Sequence, residues 1–545
     1  MARSALFHAL RRLARRPSST PSAGWSRRGF LQALGAAAAL PALGACGDNA
    51  GITRPIAIVG GGMAGLATAH FLSRVGVRAE VFEASMRTGG RMFTQRGLPG
   101  GQLVELGGEL VDTDHVVIPM LAATFGLELD DLIADTTGLR QDIFHFDGAV
   151  IPEATIVAQF TPIAAKMQLA IAASEGEDPA SVAEFERIDA LSIPQYLAEL
   201  GAEPLIKELL EVAYLEEYGL EVAEQSAWNL LFLIDSATPD PFRVFGDSDE
   251  RFHLHQGNDA LPNAIAARLG DRIHVDHRLT AVTAVGDDGY DLVFTTSAGD
   301  TTFRAGHVIY ALPFTKLREV DLDNAELSDE KREVIDELGY GTNAKLMMQF
   351  TDRHWETAHN SGGGVITDVG QLQTIWATSR GQPGTQGILT NFVGGARGVA
   401  MGEGTAESQA QTVLPHIDTI FPGTAAKYVP GSAIRQHWPS YEFTKGSYGC
   451  YRVGQWRFFG TEGVREGNQH FCGEHCSEDF QGYMEGAAET GALVAAEVLD
   501  DLGKRHPAEL AGLVEMVAAR PRASYHGRYG ERMKLSQIRR RGPRR

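Results

Sequence analysis

The chain has 545 residues, 43% hydrophobic and 22% charged, an ordinary globular composition on a length that calls for more than one small core. Its 69 acidic residues outnumber 49 Lys and Arg, a net charge of −20 that disfavours nucleic-acid binding. Only four cysteines occur, Cys46, Cys450, Cys472 and Cys476, so no disulfide framework holds the fold.

Residues 1–46 read as a targeting segment. Ser26-Arg27-Arg28-Gly29-Phe30-Leu31 has the form of a twin-arginine export signal, and the apolar run Ala33 to Ala45 is too short to span a bilayer. Leu43-Gly44-Ala45-Cys46 fits a lipoprotein cleavage box, leaving open either a membrane tether through Cys46 or cleavage without lipid. The expectation is export by the twin-arginine machinery to a periplasmic or extracellular location. Without this segment the chain carries 42 bases against 69 acids, a net of −27.

Ile56 to Val59 is a continuous apolar run, as in a buried parallel strand, and it breaks directly into Gly60-Gly61-Gly62-Met63-Ala64-Gly65. This is GxGxxG in its proper context. Gly60 permits the tight turn, Gly62 lets the backbone near Ala64 approach a pyrophosphate, and Gly65 lets the next helix pack on the strand. That helix is predicted to run to about Val75, with its N-terminal N–H groups facing the phosphates. A second strand, Arg78 to Phe82, ends at Glu83, whose carboxylate suits a ribose and disfavours a 2′-phosphate.

Arg87-Thr88-Gly89-Gly90-Arg91 trails Glu83, and the resulting EAxxRxGGR string resembles the FAD fingerprint of the flavin amine oxidase superfamily, which includes monoamine, polyamine and L-amino-acid oxidases. The resemblance implies an α/β protein with a discontinuous Rossmann-like FAD-binding domain and an α+β substrate domain. On that reading, 55–114 is the first FAD-binding part, including Gly107 and Gly108. A helical substrate part follows over 115–243, where Leu205, Leu209, Val212 and Leu215 share one face. The second FAD part is 244–317, with Leu279 at the adenine end. Residues 318–437 supply the substrate-domain sheet, with Lys345 to Phe350 as a strand. The third FAD part, 438–505, precedes a basic tail, 506–545.

Phe471-Cys472-Gly473-Glu474-His475 and Gly482-Tyr483-Met484-Glu485-Gly486-Ala487 resemble the FAGE…GYMEGA signature of the amine oxidases. The resemblance puts Glu474 near the ribityl and phosphate end and Met484 at a helix N-terminus facing the flavin pyrimidine. Because Cys472, His475 and Cys476 belong to this string, no metal site is expected there.

The same likeness assigns the chemistry. Lys345 matches the lysine that holds a water against flavin N5, and Tyr448 and Tyr483 would wall an aromatic cage. Ser447 occupies the place of the flavin-linking cysteine of monoamine oxidases, which implies non-covalent FAD, with a thioether to Cys450 as the alternative. Glu109 lies near the arginine with which animal L-amino-acid oxidases hold a carboxylate. A glutamate there instead suits a second cationic group, as in a diamine or basic amino acid. The implied reaction is oxidation of a C–N bond to an imine, with O2 reduced to H2O2. An L-amino-acid oxidase is the alternative, followed by a flavin desaturase or isomerase and a non-catalytic flavoprotein.

Overall fold

The computed structural model describes residues 54–176 and 178–520. The export signal, Cys46 and the tail beyond Arg520 lie outside the described residues.

Ile56–Val59 is buried along its whole length because it is central in a five-stranded parallel sheet. From edge to edge the order is Gln469–Phe471, His307–Tyr310, Ile56–Val59, Glu80–Phe82 and Ile273–His274, so one layer gathers strands from all three FAD-binding parts. The helices Met63–Ser73 and Met484–Asp501 pack against each other beside it, and small residues set their spacing. A Cβ on Gly491 would lie 2.2 Å from the Ala64 carbonyl oxygen, and Thr68 Oγ1 donates to the Gly491 carbonyl at 2.8 Å. Gly60 has φ +111°, which turns the chain from strand to helix.

A four-stranded sheet adjoins, ordered Gly299–Ala305, Tyr290–Thr296, Arg278–Ala284 and Asp321–Asn324. Its last strand carries the second FAD part several residues past 317.

The substrate domain is built on a seven-stranded sheet. Its order is Ile434–His437, Ala344–Phe350, Gly387–Val393, Thr374–Ala377, Ser361–Thr367, Arg140–Phe146 and Ala149–Val150. The last two strands come from the stretch expected to be helical. Arg140–Phe146 pairs in parallel with Ser361–Thr367, and a partner more than 200 residues away leaves no local signature. Apart from the short strand Leu129–Asp131, which pairs with Phe252–Leu254, the regular structure in the rest of that stretch is helical. Pro204–Tyr218 buries Leu209, Leu210, Ala213, Tyr214, Glu216 and Tyr218, with Gly219 closing it in the left-handed conformation. Glu153–Ser174 is long and apolar enough to span a membrane, but its Ile156, Phe160, Ile163, Met167 and Ile171 stripe is buried in the helical core.

Candidate active site

One cavity runs from the C-terminal ends of the parallel strands into the space between the two domains. At its first end lie Gly60, Gly62, Met63 and Ala64. The helix they open has no side-chain cap and no acid in its first turn, so its N-terminal amides stay available to an anion. Gly65 is not on the wall; a Cβ there would sit 2.1 Å from the Gly60 carbonyl oxygen, so it sets the helix–strand approach. Glu83 lines the cavity with its carboxylate fixed by the Gly61 and Ser85 amides, both 2.8 Å away. Leu279 lies on the wall nearby. Together, the uncapped helix, close-packed glycines and anchored carboxylate fit the diphosphate and ribose of a dinucleotide.

Arg91 lines the middle of the cavity and ties its walls together, donating to the Ser447 carbonyl at 2.6 Å and to Glu474 at 2.8 Å. Glu474 also accepts from the amides of Gly449 and Gly482. Gly107 and Gly108 lie on the wall, and a Cβ on Gly107 would meet the Arg91 carbonyl oxygen at 1.8 Å. Met484 begins a second helix without a side-chain cap at the cavity. The acid in its first turn, Glu485, faces away and accepts from the amides of Val116, Val117 and Ile118. Ser447 is on the wall. Cys450 is not; it is fully buried with Asn229 Nδ2 at 3.6 Å, and burial pushes its thiol up.

At the far end, Lys345 projects from the wholly buried strand Ala344–Phe350. Its Nζ donates to the Gly107 carbonyl at 2.8 Å, to Glu109 Oε2 at 2.8 Å and to the Glu105 carbonyl at 3.3 Å, and it lies 5.2 Å from the Trp376 ring centroid. All three ammonium protons therefore have acceptors. The other Glu109 oxygen accepts from Trp376 Nε1 at 2.9 Å and Thr378 Oγ1 at 3.0 Å. Burial pushes the Glu109 carboxyl up, but the charge and hydrogen bond of Lys345, with Trp376, more than reverse this and hold it below the usual range. Glu109, which lies on the cavity wall as expected of a substrate-binding position, is also the counter-ion of Lys345.

Tyr448 and Tyr483 both line the cavity, with hydroxyls tied outward to the Glu217 carbonyl and to Ser248 Oγ. Trp376 and Phe392, in edge contact at 5.5 Å, add aromatic wall that sequence reasoning did not find.

Sequence reasoning also missed Glu216, Glu217 and Glu250 on this wall. The first two end the helix Pro204–Tyr218, where its dipole disfavours negative charge. Glu250 is open to the cavity, with φ +44° and its amide held by Asp112 at 2.8 Å. Among the described residues, the Glu217 and Glu250 carboxylates have no hydrogen bond or ion pair, and Glu216 Oε2 is buried with no hydrogen-bond partner. Burial, then Glu217, pushes the Glu216 carboxyl well up; burial and Asp112 raise Glu217. Burial, Asp112 and Glu217 push Glu250 up to about 8, against the opposing charge of Arg380. The basic side chains on the cavity wall are otherwise engaged: Arg91 with Glu474, Arg278 with Glu442, Lys316 with Glu319 and Lys345 with Glu109, while Arg87 donates to the Gly90 carbonyl. The substrate end is an aromatic pocket with surplus carboxyls, and among the described residues none of them forms an ion pair with a base.

The family model described as flavin containing amine oxidoreductase matches residues 63–499, and the chain belongs to that family. A pseudooxynicotine dehydrogenase from Pseudomonas sp is 25% identical, covering 81% of this chain and 85% of its own. The flavin-dependent L-tryptophan oxidase RebO of Lentzea aerocolonigenes is 24% identical, covering 82% and 98%. A solved putrescine oxidase with putrescine bound matches with a TM-score of 0.70 at 20% identity, over 82% of this chain and 99% of that one, a likeness of fold. The protein is therefore a flavin-dependent amine oxidase of the two-domain fold, and FAD is the cofactor its cavity fits. Its relatives divide between amines and amino acids, so kinship leaves the substrate to the residues of the pocket.

Proposed function

We propose that this enzyme oxidises a small amine carrying a second cationic group, a diamine or an amine of similar charge, to the imine, with O2 as acceptor and H2O2 as product. The observation that carries the reading is the pocket wall of Glu216, Glu217 and Glu250, three carboxyls that form no ion pair among the described residues, with Glu216 Oε2 buried and without a hydrogen-bond partner. Bound FAD, held without a covalent link because Ser447 rather than Cys450 lies on the wall, supplies the two-electron acceptor. Tyr448 and Tyr483 confine the reacting amine and keep water from its α-carbon. Glu217 and Glu250 hold the distant ammonium, which positions the carbon to be oxidised. Glu109 fixes Lys345 against the Gly107 carbonyl, so the lysine presents a rigid charge at the reacting end. The substrate end presents carboxyls, and the arginines and lysines on the cavity wall already have other acceptors, so an α-carboxylate has no ready cation to pair with, which weighs against an L-amino-acid substrate. Export through the twin-arginine pathway, with Cys46 as a tether, is the location we attach to this reading.

A peroxide-coupled screen of diamines, matched monoamines and L-amino acids tests it. Diamines should give the highest kcat/KM; a preference for neutral amino acids would overturn the substrate class.

A further inference from the structure

A second cluster lies at the opposite end of the parallel sheet from the cofactor. His307 begins the strand His307–Tyr310, and His470 lies in Gln469–Phe471. Ile309 pairs with His470, so His307, two residues earlier, projects from the same sheet face. The rings stack at 5.6 Å and 27°. Helix Met484–Asp501 brings Glu497 and Asp501, one turn apart, over this face.

The hydrogen bonds orient the rings. His470 Nδ1 is 2.8 Å from Glu497 Oε2; donating its proton there leaves the Nε2 lone pair directed at His307 Nδ1, 3.3 Å away. Two nitrogens bound at about 2.0–2.1 Å to one tetrahedral ion stand about 3.3–3.4 Å apart. Asp501 Oδ2 lies 4.0 Å from His307 Nδ1, and the three candidate ligand atoms all fall within 4.8 Å of one another. Glu497 behind His470 supplies the carboxylate that orients a metal-binding imidazole. The His470 side chain is fully buried, and Asp501, 30% exposed, gives an ion access from solvent. Arg465 is 2.6 Å from Asp501 Oδ2, so on metal binding one carboxylate oxygen would serve each cation.

We propose that His307 Nδ1, His470 Nε2 and the Asp501 carboxylate bind one divalent transition-metal ion, zinc in the first instance, with water completing the shell. The site joins two sheet strands to the end of the helix that begins at the flavin. Three residues of strand, about 10 Å, separate His307 from the cofactor end, so the ion would act as a structural clamp remote from the chemistry.

The test uses untagged, FAD-loaded enzyme stripped with chelator and titrated with ZnCl2, reading retained zinc by mass spectrometry and Tm by flavin fluorescence. One zinc per chain and a rise in Tm of roughly 3 °C or more at a hundredfold excess over Kd are expected. MgCl2 should give neither, because imidazole ligands select transition metals. Asp501→Asn and Glu497→Gln, at the partly exposed carboxylates, should each weaken zinc binding at least tenfold while leaving the flavin spectrum unchanged. Substoichiometric zinc in the wild type, or equal affinity in both variants, would show a hydrogen-bonded histidine pair only and overturn the proposal.

Discussion

Replacing Glu250 with Gln should separate dicationic from monocationic substrates. The glutamine keeps the shape of the side chain and removes its ability to ionise, and among the described residues the Glu250 carboxylate makes no hydrogen bond or ion pair that the change would break. A hydrogen bond to a charged group contributes about 1.5–3 kcal/mol net, so kcat/KM for a diamine should fall by about 10- to 150-fold, with a length-matched monoamine nearly unaffected. The pH dependence sharpens the test. The Glu250 carboxyl, pushed up to about 8 by desolvation and by the neighbouring Asp112 and Glu217, gains its charge as pH rises through that range, and only the charged form attracts the distant ammonium. The diamine-to-monoamine ratio of kcat/KM should therefore climb as pH rises, approaching tenfold per unit below about 8, and level off above it. Taking the ratio largely cancels deprotonation of the reacting amine, which both substrates share. Peroxide-coupled initial rates from pH 6 to 9 measure it. In Glu250→Gln the ratio should be lower and flatter. Equal fractional losses on both substrates, or a flat ratio in the wild type, would refute a cation-binding role for Glu250.

Glu109→Gln should behave differently, because it leaves Lys345 as a buried charge without its counter-ion: stability should fall by about 3–5 kcal/mol by denaturant titration, and kcat/KM should drop by the same factor for monoamines and diamines. Acid precipitation should release FAD into the supernatant, read by absorbance, since Ser447 and not Cys450 is on the cavity wall; colour kept in the pellet would show a covalent link. The raised carboxyls of Glu216, Glu217 and Glu250 bind protons more tightly in the folded chain than in the unfolded one, so substrate-free Tm should fall as pH rises from about 4.5 towards about 8. Asp189, Glu485 and Glu462, raised mainly by burial to about 6, 7 and 8, share that sign, so the comparison is with Glu217→Gln/Glu250→Gln, in which the fall should be shallower.

The cofactor half of the molecule was legible because its constraints are local. An apolar strand, a glycine turn and a helix occupy consecutive residues, and Gly65 answers a contact five residues away, against the Gly60 carbonyl. Glu83 could be placed because its carboxylate is fixed by amides at Gly61 and Ser85. The substrate half depends on distant partners. Arg140–Phe146 has no strand signature of its own, with only Ile143, Phe144 and Phe146 apolar, and becomes a strand by pairing with Ser361–Thr367. Glu109 reads as an unclaimed acid in the flavin region until Lys345, 236 residues later, takes its charge.

Glu216 and Glu217 were hidden for a different reason. A helix read from one apolar stripe, Leu205, Leu209, Val212 and Leu215, relegates the adjoining acids to solvent. Pro204–Tyr218 is instead buried on more than one side, and Glu216 faces inward with Ala213 and Tyr214. Carboxyls at a helix C-terminus, out of water, near one another and without bases, oppose the helix dipole, solvation and mutual repulsion at once. Nothing in the packing requires them, since apolar side chains would fill the same volume at lower cost. Such an arrangement becomes favourable when a cation enters among them, so the residues that weaken the empty pocket are the ones that would select its occupant.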